Sequence, residues 1–140
     1  DFPDPSNYSL GKLYSLNFYA TVQKSLHPDA VVVIQTTSPY FAPKSFWCIN
    51  KTVMQVFPQV DAYHAYVPSF GEWGYTIAIN GFGTTFNTVN RKLENLRFYN
   101  YQFEKFNYFS EDMLSKNIEI NRLDNQILVR YFDEEWGKLQ

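Results

Sequence analysis

Val31-Val32-Val33-Ile34 is an unbroken β-branched run set between His27-Pro28-Asp29 and a polar loop that begins at Thr36. A run without polar alternation predicts a strand buried on both faces, the pattern of a parallel sheet covered by helices. Upstream, Leu10, Tyr14, Phe18, Val22 and Leu26 recur at helical spacing, and Leu13 and Tyr19 widen the same stripe. That periodicity predicts one helix over 10–26, capped by Ser9 and ended by His27-Pro28-Asp29. Downstream, 36–43 reads as a proline-bounded loop leaving the strand's C-terminal end. Phe46, Ile49, Val53 and Phe57 mark a second helix that closes before Pro58. Strands are expected over 61–67 and 73–79. The turn Pro68-Ser69-Phe70-Gly71 joins them with so little chain that they should pair antiparallel.

The last 60 residues read differently. Asn80-Gly81-Phe82-Gly83 breaks the pattern, and 84–116 is aromatic-rich with weak periodicity. Short helices are expected around 90–96 and 99–105. A better helix runs over 121–137, offering Leu123, Ile127, Leu128, Tyr131 and Trp136 to a core. Loop, helix, strand, loop, helix, strand, strand is the second half of an open α/β sheet. Such a chain should not open in a loop that has to follow a strand. It also lacks a glycine-rich strand-to-helix turn for a nucleotide, since Gly81-Phe82-Gly83 precedes no evident helix. The expectation is an N-terminal half missing upstream. A missing central strand would leave an unpaired sheet edge, which a homodimer or strand exchange would satisfy.

Composition narrows the chemistry. Aromatic residues make up 19% of the chain and hydrophobic residues 45%. That excess of rings has to serve a core, an interface, or a pocket that grips an apolar or cationic ligand. The formal net charge is −2 with no basic stripe, which argues against nucleic acid and permits a cationic small substrate. Cys48 is the single cysteine, so no intrachain disulfide forms and a reducing compartment is the simplest reading. Cys48, His27 and His64 lack the spacing of metal ligands, so no metal is expected. No apolar run approaches the length of a membrane span.

Asp1 and Asp4 stand three residues apart in a loop placed at the C-terminal edge of the sheet, where open α/β folds bind ligands. Two carboxylates there could hold ammonium groups and accept a proton; the alternative is that the Asp-Pro pairs only cap and turn. Gln35 and Tyr40 leave the next strand toward the same crevice, although a strand-end glutamine also satisfies backbone groups. On the hairpin, Glu72 could hold a distal ammonium between Phe70 and Trp73. His64 lies mid-strand between tyrosines and reads as structural. The aromatic cluster within 98–109 reads as packing or a dimer interface.

Taken together, four segments carry a resemblance. Asp1-Phe2-Pro3-Asp4-Pro5 with Leu13-Tyr14-Ser15-Leu16-Asn17-Phe18-Tyr19 resembles the acidic loop and following helix of spermidine synthases. Gln35-Thr36-Thr37-Ser38-Pro39-Tyr40 resembles their next strand exit. Tyr63-His64 through Pro68-Ser69-Phe70-Gly71-Glu72-Trp73-Gly74-Tyr75 resembles the hairpin that closes their amine pocket. Ser110-Glu111-Asp112-Met113 and 119–126 are similar to the tail of bacterial homologues that carry membrane helices upstream.

The resemblance implies the distal half of a Rossmann-like, methyltransferase-like α/β sheet with a terminal hairpin. It would occupy 1–80, with a helical C-terminal extension over 81–140. It implies a parent aminopropyltransferase that moves an aminopropyl group from decarboxylated S-adenosylmethionine, its co-substrate, to putrescine or a related polyamine. Asp1 would accept the proton, and Asp4, Gln35, Tyr40, Phe70, Glu72 and Trp73 would bind the amine. Phe70 departs from the tyrosine common in the soluble enzymes, and the loop is shorter, so the amine's identity stays open. The fragment itself is expected to bind no donor and to be inactive, in a cytoplasmic parent, or one tethered to the inner membrane. Two rivals remain: a non-catalytic polyamine-binding or assembly module, and a methyltransferase fragment, which the Asp1/Asp4 pair opposes.

Overall fold

The computed structural model describes residues 2–84, 86 and 107–137. Among them β1 (Val31–Gln35), β2 (Gln59–Val67) and β3 (Gly71–Ile79) form one sheet in the order β1-β3-β2. Both pairings are antiparallel, with Val31 opposite Ile79 and Val67 opposite Gly71. The α/β class and the terminal hairpin are as expected. The turn at 68–70 closes on Gly71, whose φ of 73° is the left-handed value that glycine adopts without strain.

The doubly covered parallel strand at 31–34 needs correction. The partner of β1 among the described residues runs antiparallel, and Val31 and Val33 are 54% and 53% exposed while Ile34 is buried. A β-branched run reports a pleated apolar surface, which suits either ladder; only the partners decide direction and cover.

The predicted first helix is also broken. It comprises α1 (Tyr8–Gly11), a 3-10 turn (Lys12–Tyr14) and α2 (Leu16–Lys24). Asn7, not Ser9, caps α1, accepting from the amides of Ser9 and Leu10 at 3.0 Å each. Ser15 is extended, donates its hydroxyl to the Lys12 carbonyl at 2.7 Å and accepts from the Phe18 amide at 3.3 Å. A serine hydroxyl competes with the helix for its own backbone. The apolar stripe continues through the break and conceals it.

The second helix, α3 (Pro43–Met54), has proline in its first turn, where no amide is needed. The C-terminal helix, α4 (Ile127–Trp136), begins at 127 rather than 121. Gln126 is left-handed with φ 42°, and Asn125 Oδ1 accepts from the amides of Arg122 and Ile127, so 121–126 is folded as a loop. The helices expected near 90–96 and 99–105 lie outside the described residues.

Tyr19, Ile34, Ile49, Val53, Phe57, Ala78, Ile127 and Leu128 form the core between the sheet and α2, α3 and α4. Cys48 lies within it, and burial pushes its thiol up to about 12, which makes it a packing residue.

Asn121, fully buried, ties these pieces together. Its side-chain amide donates to the Gly11 carbonyl at 3.0 Å, and its side-chain oxygen accepts from the Leu128 amide at 3.3 Å. Its backbone amide donates to Thr52 Oγ1 at 2.9 Å, and its carbonyl accepts from the Leu16 amide at 2.8 Å. Asn121→Ala strands the Gly11 carbonyl and the Leu128 amide in a buried place. It should lower the unfolding free energy by about 2–4 kcal/mol in urea titrations. The exposed Asn17→Ala should stay within about 0.5 kcal/mol, and equal losses would contradict this account.

Candidate functional site

The exit of β1 and the β2–β3 turn meet at one end of the sheet. The Ser38 hydroxyl donates to the Glu72 carbonyl at 2.6 Å and accepts from the Phe41 amide at 3.2 Å, pinning the loop to the hairpin. Gly74 sits directly against the Phe46 ring, and a Cβ there would collide with that ring and with the Thr37 carbonyl. The Gly74 amide donates to the Thr37 carbonyl at 2.8 Å, extending the ladder past β1. Thr37 itself is left-handed, with φ 66°, a costly state for a β-branched residue. Such strain persists where the surroundings over-determine it, and it gathers at ligand sites.

Four of the expected residues lie here, with Glu72 projecting from the opposite face of β3 to Trp73. Tyr40 packs edge-on against Phe41 with ring centroids 5.3 Å apart, and Phe70 tilts against Trp73 at 5.3 Å. Tyr40 and Phe70 are 51% and 60% exposed, so both rings face outward from the cluster. Glu72 Oε2 lies 2.7 Å from His64 Nδ1, and the other ring nitrogen of His64 meets the Tyr108 carbonyl at 2.6 Å. His64 is thus a buried residue holding Glu72 in place. Sequence reasoning read it as structural without its partner. The signal was present: with Val67 opposite Gly71, His64 and Glu72 are diagonal neighbours on one face.

The remaining expected residues lie elsewhere. Asp1 is outside the described residues. Asp4 is exposed, yet partial desolvation still raises its carboxyl above the ordinary aspartate value. Gln35 ends β1 and, with Phe2, Phe18, Val22 and Val33, lines a cleft of about 190 Å³ along that strand. Tyr14 organises the acidic loop. Its phenol donates to the carbonyls of Phe2 at 3.3 Å and Pro3 at 3.1 Å, the backbone between the two aspartates. Burial, and then the Asp4 charge, push that phenol up to about 12.

The C-terminal segment reaches the site from two sides. Phe109 packs on His64 at 4.9 Å and on Trp47 at 5.0 Å, and Trp47 Nε1 donates to the Met113 carbonyl at 2.7 Å. Tyr108 and Phe109 are the described members of the 98–109 aromatic cluster; its 98–106 members lie outside the described residues. On the other side Glu135 forks onto the start of α3. Oε1 accepts from the Lys44 amide at 2.7 Å, and Oε2 accepts from the Ser45 amide at 3.0 Å and the Ser45 hydroxyl at 2.7 Å. A carboxylate at a helix N-terminus satisfies orphan amides and the helix dipole together. Neither Glu135 nor its neighbour Trp136 carried any sequence signal beyond a place on an amphipathic helix. Among the described residues no cluster suited to a metal occurs, and no helix is long and apolar enough to cross a membrane.

Residues 1–92 match the model of the spermine/spermidine synthase domain. Polyamine aminopropyltransferase 2 of Ralstonia nicotianae is 45% identical over 141 residues, which cover 97% of this chain and 27% of that protein. The polyamine aminopropyltransferase of Leptospira interrogans is also 45% identical, over 99% of this chain and 28% of its own length. The chain therefore spans little more than a quarter of these relatives. The crystal structure of spermidine synthase from Thermotoga maritima is similar with a TM-score of 0.48 and 17% identity, over 90% of this chain and 39% of that one.

Tyr14 gives a test of the loop. An unfolded tyrosine ionises near about 10, whereas the folded one ionises at about 12. Between those values only the unfolded chain gives up this proton, so stability falls as pH rises through the window. Tyr14→Phe should flatten part of that alkaline decline in urea titrations and speed hydrogen exchange in residues 2–6. An unchanged slope would show that Tyr14 is not the group responsible.

Proposed function

This chain belongs to the spermine/spermidine synthase family, and from that premise we propose that it is the amine-side part of an aminopropyltransferase. The observation that supports the reading is the meeting of Tyr40, Phe70 and Trp73 at the strand exit, where Ser38 holds loop and hairpin together at the Glu72 carbonyl. Such rings suit an alkyldiamine: they pack the methylenes and attract the ammonium, while a carboxylate takes the charge.

The proposed reaction joins an amine nitrogen of putrescine or a related polyamine to the aminopropyl carbon of decarboxylated S-adenosylmethionine. The carbon–sulfur bond breaks with its electron pair left on sulfur, which departs as the thioether methylthioadenosine. The new carbon–nitrogen bond forms, and the surplus proton on nitrogen passes to a carboxylate. An alkylammonium resembles lysine, near about 10.4, so the site has to present the minor neutral amine. Asp1 is the proposed acceptor of the proton, with Asp4 orienting the amine. Tyr14 sets the loop that carries both, and Glu72 is the proposed anchor for the distal ammonium. Residues that would grip the donor are proposed to lie in the parent beyond this chain, which leaves the chain alone inactive. The division into a catalytic part over 1–80 and an extension over 81–140 belongs to the same reading.

A non-catalytic polyamine-binding module is the second reading, and one observation favours it: Glu72 is already paired with His64. Turnover separates the two. In the parent polypeptide, Asp1→Asn should lower kcat by about 10²-fold or more while KM for putrescine changes little. Glu72→Gln should raise that KM about tenfold. Product formation that survives Asp1→Asn removes Asp1 from the mechanism. A folded parent that makes no product with any common diamine or polyamine establishes the binding module instead.

A further inference from the structure

We infer that Trp136, the last residue of α4, forms the second wall of the amine site and sets which amine the protein accepts; this rests on the function proposed above. Trp136 lies beyond the residues that match the family model. Its ring centroid is 6.2 Å from Phe41 and 6.5 Å from Trp73. Phe41 in turn meets Tyr40, and Trp73 meets Phe70. Five rings thus run in a row across the mouth, and Trp136 is the one that joins the strand-exit loop to the hairpin. Neither tryptophan is fully buried, so both keep ring surface at the mouth.

The position of Trp136 is fixed independently of any ligand. Glu135 clamps the end of α4 to the start of α3, and Phe132 lies one helical turn back at 6.0 Å. The indole N–H donates to Thr37 Oγ1 at 3.3 Å, on the strained residue where the loop turns. A rigid aromatic surface at the strand exit recognises an alkylammonium by area and by ring electrostatics. It also gauges length, because a chain anchored at one end on a carboxylate reaches the wall only when its methylenes fit.

The test uses the parent polypeptide and a series of diamines with three to five carbons. Trp136→Ala should raise KM for the preferred amine about tenfold with a smaller effect on kcat. It should also shift the kcat/KM ratio between neighbouring chain lengths about fivefold or more. Trp136→Phe should keep most of the selectivity. A uniform loss for every amine in a folded Trp136→Ala protein would mark a purely structural residue and overturn the inference, as would no change. Calorimetric binding of the same diamines gives a readout free of turnover. Length-selective binding that depends on Trp136 in a parent without transfer activity would discard the transferase reading and retain the wall. Binding indifferent to Trp136 would discard the wall.

Discussion

The fold hangs on a buried amide. Through its side chain and its backbone Asn121 hydrogen-bonds one residue of each of α1, α2, α3 and α4: Gly11, Leu16, Thr52 and Leu128. An apolar residue of the same size would leave the Gly11 carbonyl and the Leu128 amide facing a dry interior, where each unpaired group is costly. Its value is therefore as much specificity as stability, since only one arrangement of the four helical pieces satisfies every partner. It also makes the C-terminal helix part of the same packed unit as the first helices, because 121 lies in the loop that leads into α4.

From there the constraint passes outward to the site. With α4 seated, Glu135 reaches the first amides of α3 and supplies the cap that Ala42 cannot. The start of α3 fixes the end of the loop that leaves β1, and Ser38 fixes its middle against the hairpin. Left-handed Thr37 is the point at which these demands meet. It is held by the Gly74 amide from one side and the Trp136 indole from the other. Backbone strain of about 1–3 kcal/mol survives only under such double restraint. Gly74 completes the arrangement, because any side chain there would push the hairpin off Phe46.

This hierarchy explains what the sequence disclosed. Strands, their approximate limits and the tight hairpin were legible because periodicity and turn residues are local. The acidic loop, strand exit and hairpin were legible through their likeness to a family, and four of the residues so chosen do gather at one end of the sheet. The break at Ser15 was hidden because apolar spacing continues across it while a hydroxyl redirects the backbone. The direction of the β1 partner and its exposed face were hidden because a run of valines says nothing of its neighbours. Asn121, Glu135 and Trp136 were illegible for a stronger reason. Each acts on residues some 70 to 110 positions away, and no pattern within a short window records such a partner.

The pairing of Glu72 bears on how a cation would be recognised. The Tyr108 carbonyl can only accept, so His64 Nε2 donates to it. Its Nδ1 faces Glu72 Oε2 at 2.7 Å, so one oxygen of that carboxylate is already engaged. An incoming ammonium would meet a carboxylate already held by His64, so simple ion pairing offers less than the residue type suggests. A carboxylate still has lone pairs for more than one donor, so the contact remains open to it. On the proposed function, the larger share of recognition would fall on groups that need no unpaired charge, the ring faces of Phe70, Trp73 and their neighbours. On the same proposed function, a half-open row of aromatic residues is what such recognition calls for, and it suits long apolar stems better than small cations.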